Sequence, residues 1–303
     1  MIGIAVLLAY ALLVGLALPH ALVRARWTQR APGLAVLVWQ GLLVSFVSSL
    51  VLLAHHVVVP DRHVHGGVLG LLHVCGAATA DGVGAAVAGE AAQALLPLAA
   101  GVWPLGWYVL TVARAYRSRR HHAAQLDILA RPAPELSAVL VEHAVPAVYC
   151  LPGRLRRVVL TRGALDVLSP QQLRAVLAHE QAHLVGRHHL ITAATEAFAH
   201  AFPGLPLGRL ARAETAVLLE MVADDRAARS HSPSALVGAM CEVAAARTPG
   251  FAFGLGGSAV LLRVRRLLHP RRGPHPAAWW STAALTLAAT VLPFVVACGP
   301  GLG

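Results

Sequence analysis

The sequence predicts a mainly α membrane protein: four transmembrane helices, with a mixed α+β domain inserted between the third and the fourth. Three observations carry this. The 303 residues are 57% hydrophobic and only 13% charged, and the mean hydropathy is +0.63, a balance outside that of ordinary soluble enzymes. Four stretches come near the roughly 20 mostly apolar residues that a bilayer crossing needs. Between the last two of them lies a long segment of ordinary polarity with its own helix and strand signals. Four cysteines spread over the chain exclude a disulfide scaffold. All 25 basic residues are Arg, and they form no stripe interleaved with aromatics, so direct nucleic-acid binding is set aside.

The first crossing is about residues 2–23, uncharged and too long for the core of a signal peptide. The second is 34–59. The third, 91–112, carries Trp103, Trp107 and Tyr108 as interfacial anchors. The fourth, 277–297, opens with Trp279 and Trp280. The apolar run Gly66–Ala80 is too short to span and reads as a loop or re-entrant piece.

Arginine placement sets the orientation, because cytoplasmic flanks are enriched in basic residues. Arg24, Arg26 and Arg30 follow the first helix, Arg114, Arg117, Arg119 and Arg120 follow the third, and Arg263, Arg265, Arg266, Arg271 and Arg272 precede the fourth. The connection 60–90 holds only Arg62 against Asp61, Asp81 and Glu90. The expected layout is a membrane region 1–120, a cytoplasmic domain 121–276, and a fourth helix with a short tail at 277–303, both termini lying outside. Cys75 and Cys298 would then share the external face, where they could pair or stay free, with Cys150 and Cys241 reduced inside.

In the cytoplasmic segment, Ala147–Leu151 and Arg157–Leu160 read as two short strands around Pro152-Gly153. Ser169-Pro170-Gln171-Gln172 then starts a helix: Ser caps it, Pro takes the first helical position, and Gln stands three residues after the cap. That helix is expected to run from Pro170 to at least Val185.

Within it lies His179-Glu180-Gln181-Ala182-His183, an HExxH pattern. Residues four apart share a helix face, so both imidazoles can bind one zinc ion while Glu180 stands beside a water as general base. Zinc lowers the pKa of such a water to roughly 7, which makes it a usable nucleophile for a peptide carbonyl. One Zn²⁺ per chain is therefore expected. A catalytic zinc takes three protein ligands, and two residues compete for the third place. His189 fits the longer spacing HExxHxxGxxH, with Gly186 at the glycine. Glu220 belongs to Glu220-Met221-Val222-Ala223-Asp224, where Glu220 and Asp224 share a helix face. The helix-favouring stretch Leu190–Ala201 favours Glu220, and His189 stays the alternative. Asp224 reads either as an acceptor fixing a ligand imidazole or as a solvated helix acid. Asp225 is expected to pair with Arg229, and His188, His200 and the His55-His56 pair read as packing or interfacial residues.

Together, three apolar helices, an HExxH domain followed by Glu220-to-Asp224, and one further apolar helix resemble the integral-membrane zinc metallopeptidases of the BlaR/MecR type. The likeness rests on Leu177–His183, on Phe202-Pro203 and on Glu220–Asp224. It implies a zincin-like, gluzincin-type metalloprotease domain with His179, His183 and Glu220 as ligands, Glu180 as base and Asp224 as supporting carboxylate. It also implies a protein or peptide substrate, a cytoplasmic transcriptional repressor being the familiar case in regulatory proteolysis. Those relatives carry an external sensor domain for β-lactams, which residues 299–303 cannot supply. An HtpX-like quality-control peptidase shares the two motifs but is expected to place two spans on each side of the site. A non-catalytic membrane sensor or scaffold would have no need of Glu180.

Overall fold

The computed structural model describes residues 2–58, 86–153, 156–246, 255–269 and 275–298. The run Gly66–Ala80 and Cys75, and with Cys75 its pairing to Cys298, lie outside the described residues. Four described helices are long and apolar enough to cross a membrane: Gly3–Arg24, Pro32–Val58, Leu95–Leu129 and Pro276–Ala297. The first, second and fourth match the expected crossings, the third overlaps the expected 91–112 and extends beyond it, and the set fits an integral membrane protein.

The first is not one uniform helix. It comprises α1 (Ile2–Leu12), a π-helical stretch Leu13–Ala17, and α2 (Leu18–Arg24). Gly15 lies in the π stretch, and a Cβ there would fall 2.9 Å from a Phe46 ring carbon. Glycine thus permits the close approach of α3 (Pro32–Val58). The third helix, α4 (Ala86–Leu129), has 44 residues and is therefore about 66 Å long at 1.5 Å per residue, far more than a hydrocarbon core of about 30 Å. Its polar half, rich in Ala and Arg with no breaker, continues the helix past the expected end at residue 112 and past the boundary at 120.

α4 runs directly into a four-stranded sheet, where two strands were expected. The strands are β1 (Ala130–Ala133), β2 (Ala138–Val141), β3 (Val148–Leu151) and β4 (Arg157–Thr161), in the order β1-β2-β4-β3. β2 and β4 are parallel, and the other two pairings antiparallel. β1 tolerates Pro132 because it is an edge. β4 is an inner strand, with Val158, Val159 and Leu160 buried; β3 is the second edge.

After the sheet come α5 (Arg162–Val167), α6 (Pro170–Val185), α7 (His188–Ala201), α8 (Pro206–Ala227), α9 (Pro233–Ala245), α10 (Leu255–Leu268) and α11 (Pro276–Cys298). α6 has the expected bounds and the expected cap: Gln172 N donates to Ser169 Oγ at 3.3 Å, and Ser169 N donates to Gln172 Oε1 at 2.8 Å.

α7 and α8 form a hairpin whose apolar tip reaches the middle of the spanning helices. Phe202 stacks edge-on against Phe46 with ring centroids 5.4 Å apart, Phe198 does the same at 5.7 Å, and Trp103 Nε1 donates to the carbonyl of Ala201 at 2.9 Å. Leu205 Cδ1 lies 3.3 Å from the Cβ position of Gly15. Val14, Trp39, Leu42, Phe46, Leu207 and Leu218 are buried in one cluster. The helices carrying the HExxH domain and those long and apolar enough to cross a membrane therefore share a core. α11 is held against α3 and α1 by Ser45 Oγ and Tyr10 Oη, both of which donate to the Ala289 carbonyl.

Candidate metal centre

α6 and α8 pack side by side, and each contributes residues spaced four apart. His179 and His183 project from α6, Glu220 and Asp224 from α8. His179 Nε2 and His183 Nε2 are 3.2 Å apart. His183 Nε2 lies 3.4 Å from Glu220 Oε1, and His179 Nε2 lies 3.5 Å from Glu220 Oε2. A tetrahedral zinc with bonds of roughly 2.0–2.1 Å separates its ligand atoms by about 3.3–3.4 Å. Two imidazole nitrogens and a carboxylate at this spacing form a donor set that fits a zinc ion. Two imidazole nitrogens 3.2 Å apart are held together by a shared ring proton or by a cation between them.

The electrostatics agree with a cation site. Burial opposes charging of His179, yet Asp224 and Glu220 outweigh it and hold the imidazole up to about 9. Glu220 stays below the usual carboxylate range: burial is outweighed by His179 and Arg263. Asp224 is fully buried and also held low, because Arg263 and His179 more than offset its desolvation. Its Oδ1 lies 3.0 Å from His179 Nδ1, close enough to hold the ring, although the N–H is not aligned along the contact. Arg263, from α10, donates Nε to Asp224 Oδ2 at 2.8 Å and Nη2 to Oδ1 at 2.7 Å. Its Nη1 lies 2.9 Å from Glu220 Oε2.

Glu180 faces the β3 side. Burial raises its pKa, with His179 and the Cys150 thiol pulling the other way. Cys150 is pushed up to about 12 by burial and by the charge of Glu180. Beside the donors opens a cavity of about 270 Å³ bounded by Cys150, His183, His188, Thr192, Leu219 and Glu220.

The structure gathers His179, His183 and Glu220 into one group and leaves His189 outside it. The chain does turn at Gly186-Arg187, with Arg187 left-handed at φ 49°, and a new helix starts at His188. His189 lines the same cavity but does not converge with the three donors; burial, then the charges of Arg119, Arg156 and Arg187, lower its pKa. His188 is the imidazole brought to the site: its Nδ1 lies 2.9 Å from His183 Nδ1, it is buried, and burial followed by the charge of His183 lowers it to about 4. Asp225 pairs with Arg266, through contacts of 2.6 and 2.7 Å, rather than with Arg229. Arg263, Cys150 and His188 had no local signal; the HExxHxxxxH spacing places His188 nine residues after His179, but only the turn aims it back.

Comparison with known proteins agrees with this geometry. Residues 113–230 match the model of Peptidase family M48, less than half of the 303-residue chain but all of the candidate centre except Arg263. The match supports a metallopeptidase. No curated protein and no solved structure matches the chain.

Proposed function

We propose that the chain is a membrane-embedded zinc metalloendopeptidase, with its 121–276 domain on the cytoplasmic side as the arginine distribution suggests. The observation that carries this reading is the near-tetrahedral spacing of His179, His183 and Glu220 on two adjacent helices beside the half-buried Glu180. A zinc ion held there supplies Lewis acidity toward a peptide carbonyl and toward water. Glu180 accepts the proton of the attacking water and returns it to the leaving amine; burial raises its pKa, the direction that favours holding that proton in between. Asp224 holds His179, and Arg263 holds Asp224 and Glu220. β3 offers a substrate backbone its unpaired side, and the adjoining cavity takes one of the substrate's side chains.

The substrate is read as a cytoplasmic or membrane-associated protein, cleaved in regulation as in the BlaR/MecR-type peptidases; quality-control cleavage would use the same site. Glu180→Gln in the full-length protein should abolish hydrolysis with zinc still bound. Undiminished turnover would overturn the assignment. Comparing cellular peptides with and without the substitution separates the two roles: one protein accumulating uncleaved means regulation, many damaged membrane proteins mean quality control.

A further inference from the structure

We infer that His188 is the positioning residue of His183: it accepts the Nδ1 proton of that ligand and thereby fixes both its tautomer and its ring plane. The inference rests on the reading of His183 as a metal ligand, and it follows from four observations.

His183 directs Nε2 toward His179 and Glu220, at 3.2 and 3.4 Å. A nitrogen that binds a metal offers its lone pair, so the ring proton must sit on Nδ1. His183 Nδ1 lies 2.9 Å from His188 Nδ1, an N–H···N distance that requires one ring to donate and the other to accept. Since His183 holds the proton, His188 accepts, and its own proton is on Nε2. The rings stand nearly perpendicular, at 83° with centroids 4.7 Å apart, so His188 meets His183 through the nitrogen and not by stacking.

The backbone is shaped for this contact. Arg187 takes the left-handed conformation, which reverses the chain and lays His188 back over the end of α6. Gly186 gives the imidazole its space: a Cβ there would lie 2.4 Å from His188 Nε2 and 3.0 Å from the Ala182 carbonyl. Gly186 itself has an ordinary helical φ of −72°, so glycine is required there by the ring and not by the backbone. The two ligand imidazoles are thus supported differently: Asp224 stands behind His179, and the neutral ring of His188 behind His183. A second carboxylate in that place would add negative charge to a pocket already holding Glu180, Glu220 and Asp224.

The test uses the full-length protein in detergent, with zinc affinity measured by competition against a chelator and the unfolding midpoint of the metal-free form as control. His188→Phe keeps the bulk of the ring and removes the acceptor; loss of such a partner weakens metal binding by roughly 10–100-fold. His188→Asn sets its amide oxygen near the lost Nδ1 and should restore affinity to within about threefold of the parent. Gly186→Ala, with His188 intact, should weaken zinc because the ring must move. All three should leave the metal-free midpoint near that of the parent. Unchanged affinity in His188→Phe overturns the inference. So does an equal loss in His188→Phe and His188→Asn accompanied by a lower midpoint, which would make His188 a packing residue. If the parent binds no zinc, or His183→Ala binds it as well as the parent, the metal reading itself fails and the inference falls with it, a failure visible before His188 is touched.

Discussion

The guanidinium of Arg263 lies 2.9 Å from Glu220 Oε2 while bonding both oxygens of Asp224, one turn further along the same helix. One side chain from α10 therefore sets the geometry of a candidate ligand and of the carboxylate behind another. Arg263 is itself largely buried, and Asp224 fully. Removing one member of a buried ion pair strands the other charge, which costs on the order of 3–5 kcal/mol. Arg263→Leu should lower the unfolding temperature and weaken zinc at least tenfold. Adding Asp224→Asn should recover part of the stability, since the fully buried position is then no longer charged. Arg263→Lys reaches one carboxylate only and should fall between. Unfolding curves and zinc content check this; a single Leu variant as stable and as zinc-rich as the parent would refute it.

The third ligand can be tested by paired substitutions. Glu220→Ala leaves two imidazoles at the centre and should release zinc, whereas His189→Ala leaves all three donors in place. Zinc content after dialysis checks the order. The reverse order would mean that the chain closes the site through His189.

What the sequence made legible was local. The capping box of α6, the spacing of its two histidines and the pairing of Glu220 with Asp224 are decided within one or two helical turns, and each lies where expected. Arg263 approaches Asp224 from 39 residues away, and Cys150 approaches Glu180 from another layer of the fold; no period or motif encodes those distances. β1 gave no strand signal because Pro132 and the neighbouring Pro134 interrupt a stretch without β-branched residues, and it survives only as an edge; β2, Ala-Val-Leu-Val, is too short a run to stand out. The length of α4 was missed for the opposite reason: a window seeking apolar residues stops at the arginines, although arginine continues a helix readily.

Cysteine reactivity offers a check on burial at the centre. Cys150 and Cys241 are both unbridged, but Cys241 is exposed whereas the Cys150 thiol is held up to about 12 by burial and by Glu180. The thiolate is the reactive form. At pH 8 an alkylating reagent should therefore modify Cys241 and leave Cys150 nearly untouched, and Glu180→Gln should hasten modification of Cys150. Peptide mass spectrometry after timed labelling reads both rates; comparable rates in the parent would place Cys150 in solvent.

Orientation is open to the same chemistry. An impermeant thiol reagent applied to intact cells after reduction should reach cysteines introduced near Arg62 or Gly301, but not near Arg119 or Arg271. The opposite pattern would put the metal centre outside the cell and remove cytoplasmic proteins from its substrates.

The sheet decides how a substrate can be held. β4 is paired on both sides, with β2 and with β3, so it offers a substrate no free edge. β3 bonds β4 on one side, and among the described residues no strand pairs with the other. Thr161 N donates to the Ala147 carbonyl at 3.0 Å, and antiparallel pairs alternate between bonded and non-bonded. In the register Val148↔Leu160 and Tyr149↔Val159, Tyr149 and Leu151 therefore bond β4, while the backbone groups of Val148 and Cys150 point outward, Cys150 being the residue beside Glu180. An extended peptide bonding those groups would lie along the Glu180 side of the centre. Val148→Pro removes one outward donor without touching the ladder to β4 and should raise KM severalfold, leaving zinc and the unfolding temperature near those of the parent. Val159→Pro, at a fully buried position in an inner strand, should instead unfold the domain and release zinc together with activity. Steady-state kinetics beside zinc content separates the two. A Val148→Pro variant with unchanged KM would show that substrate does not bind as an added strand on β3.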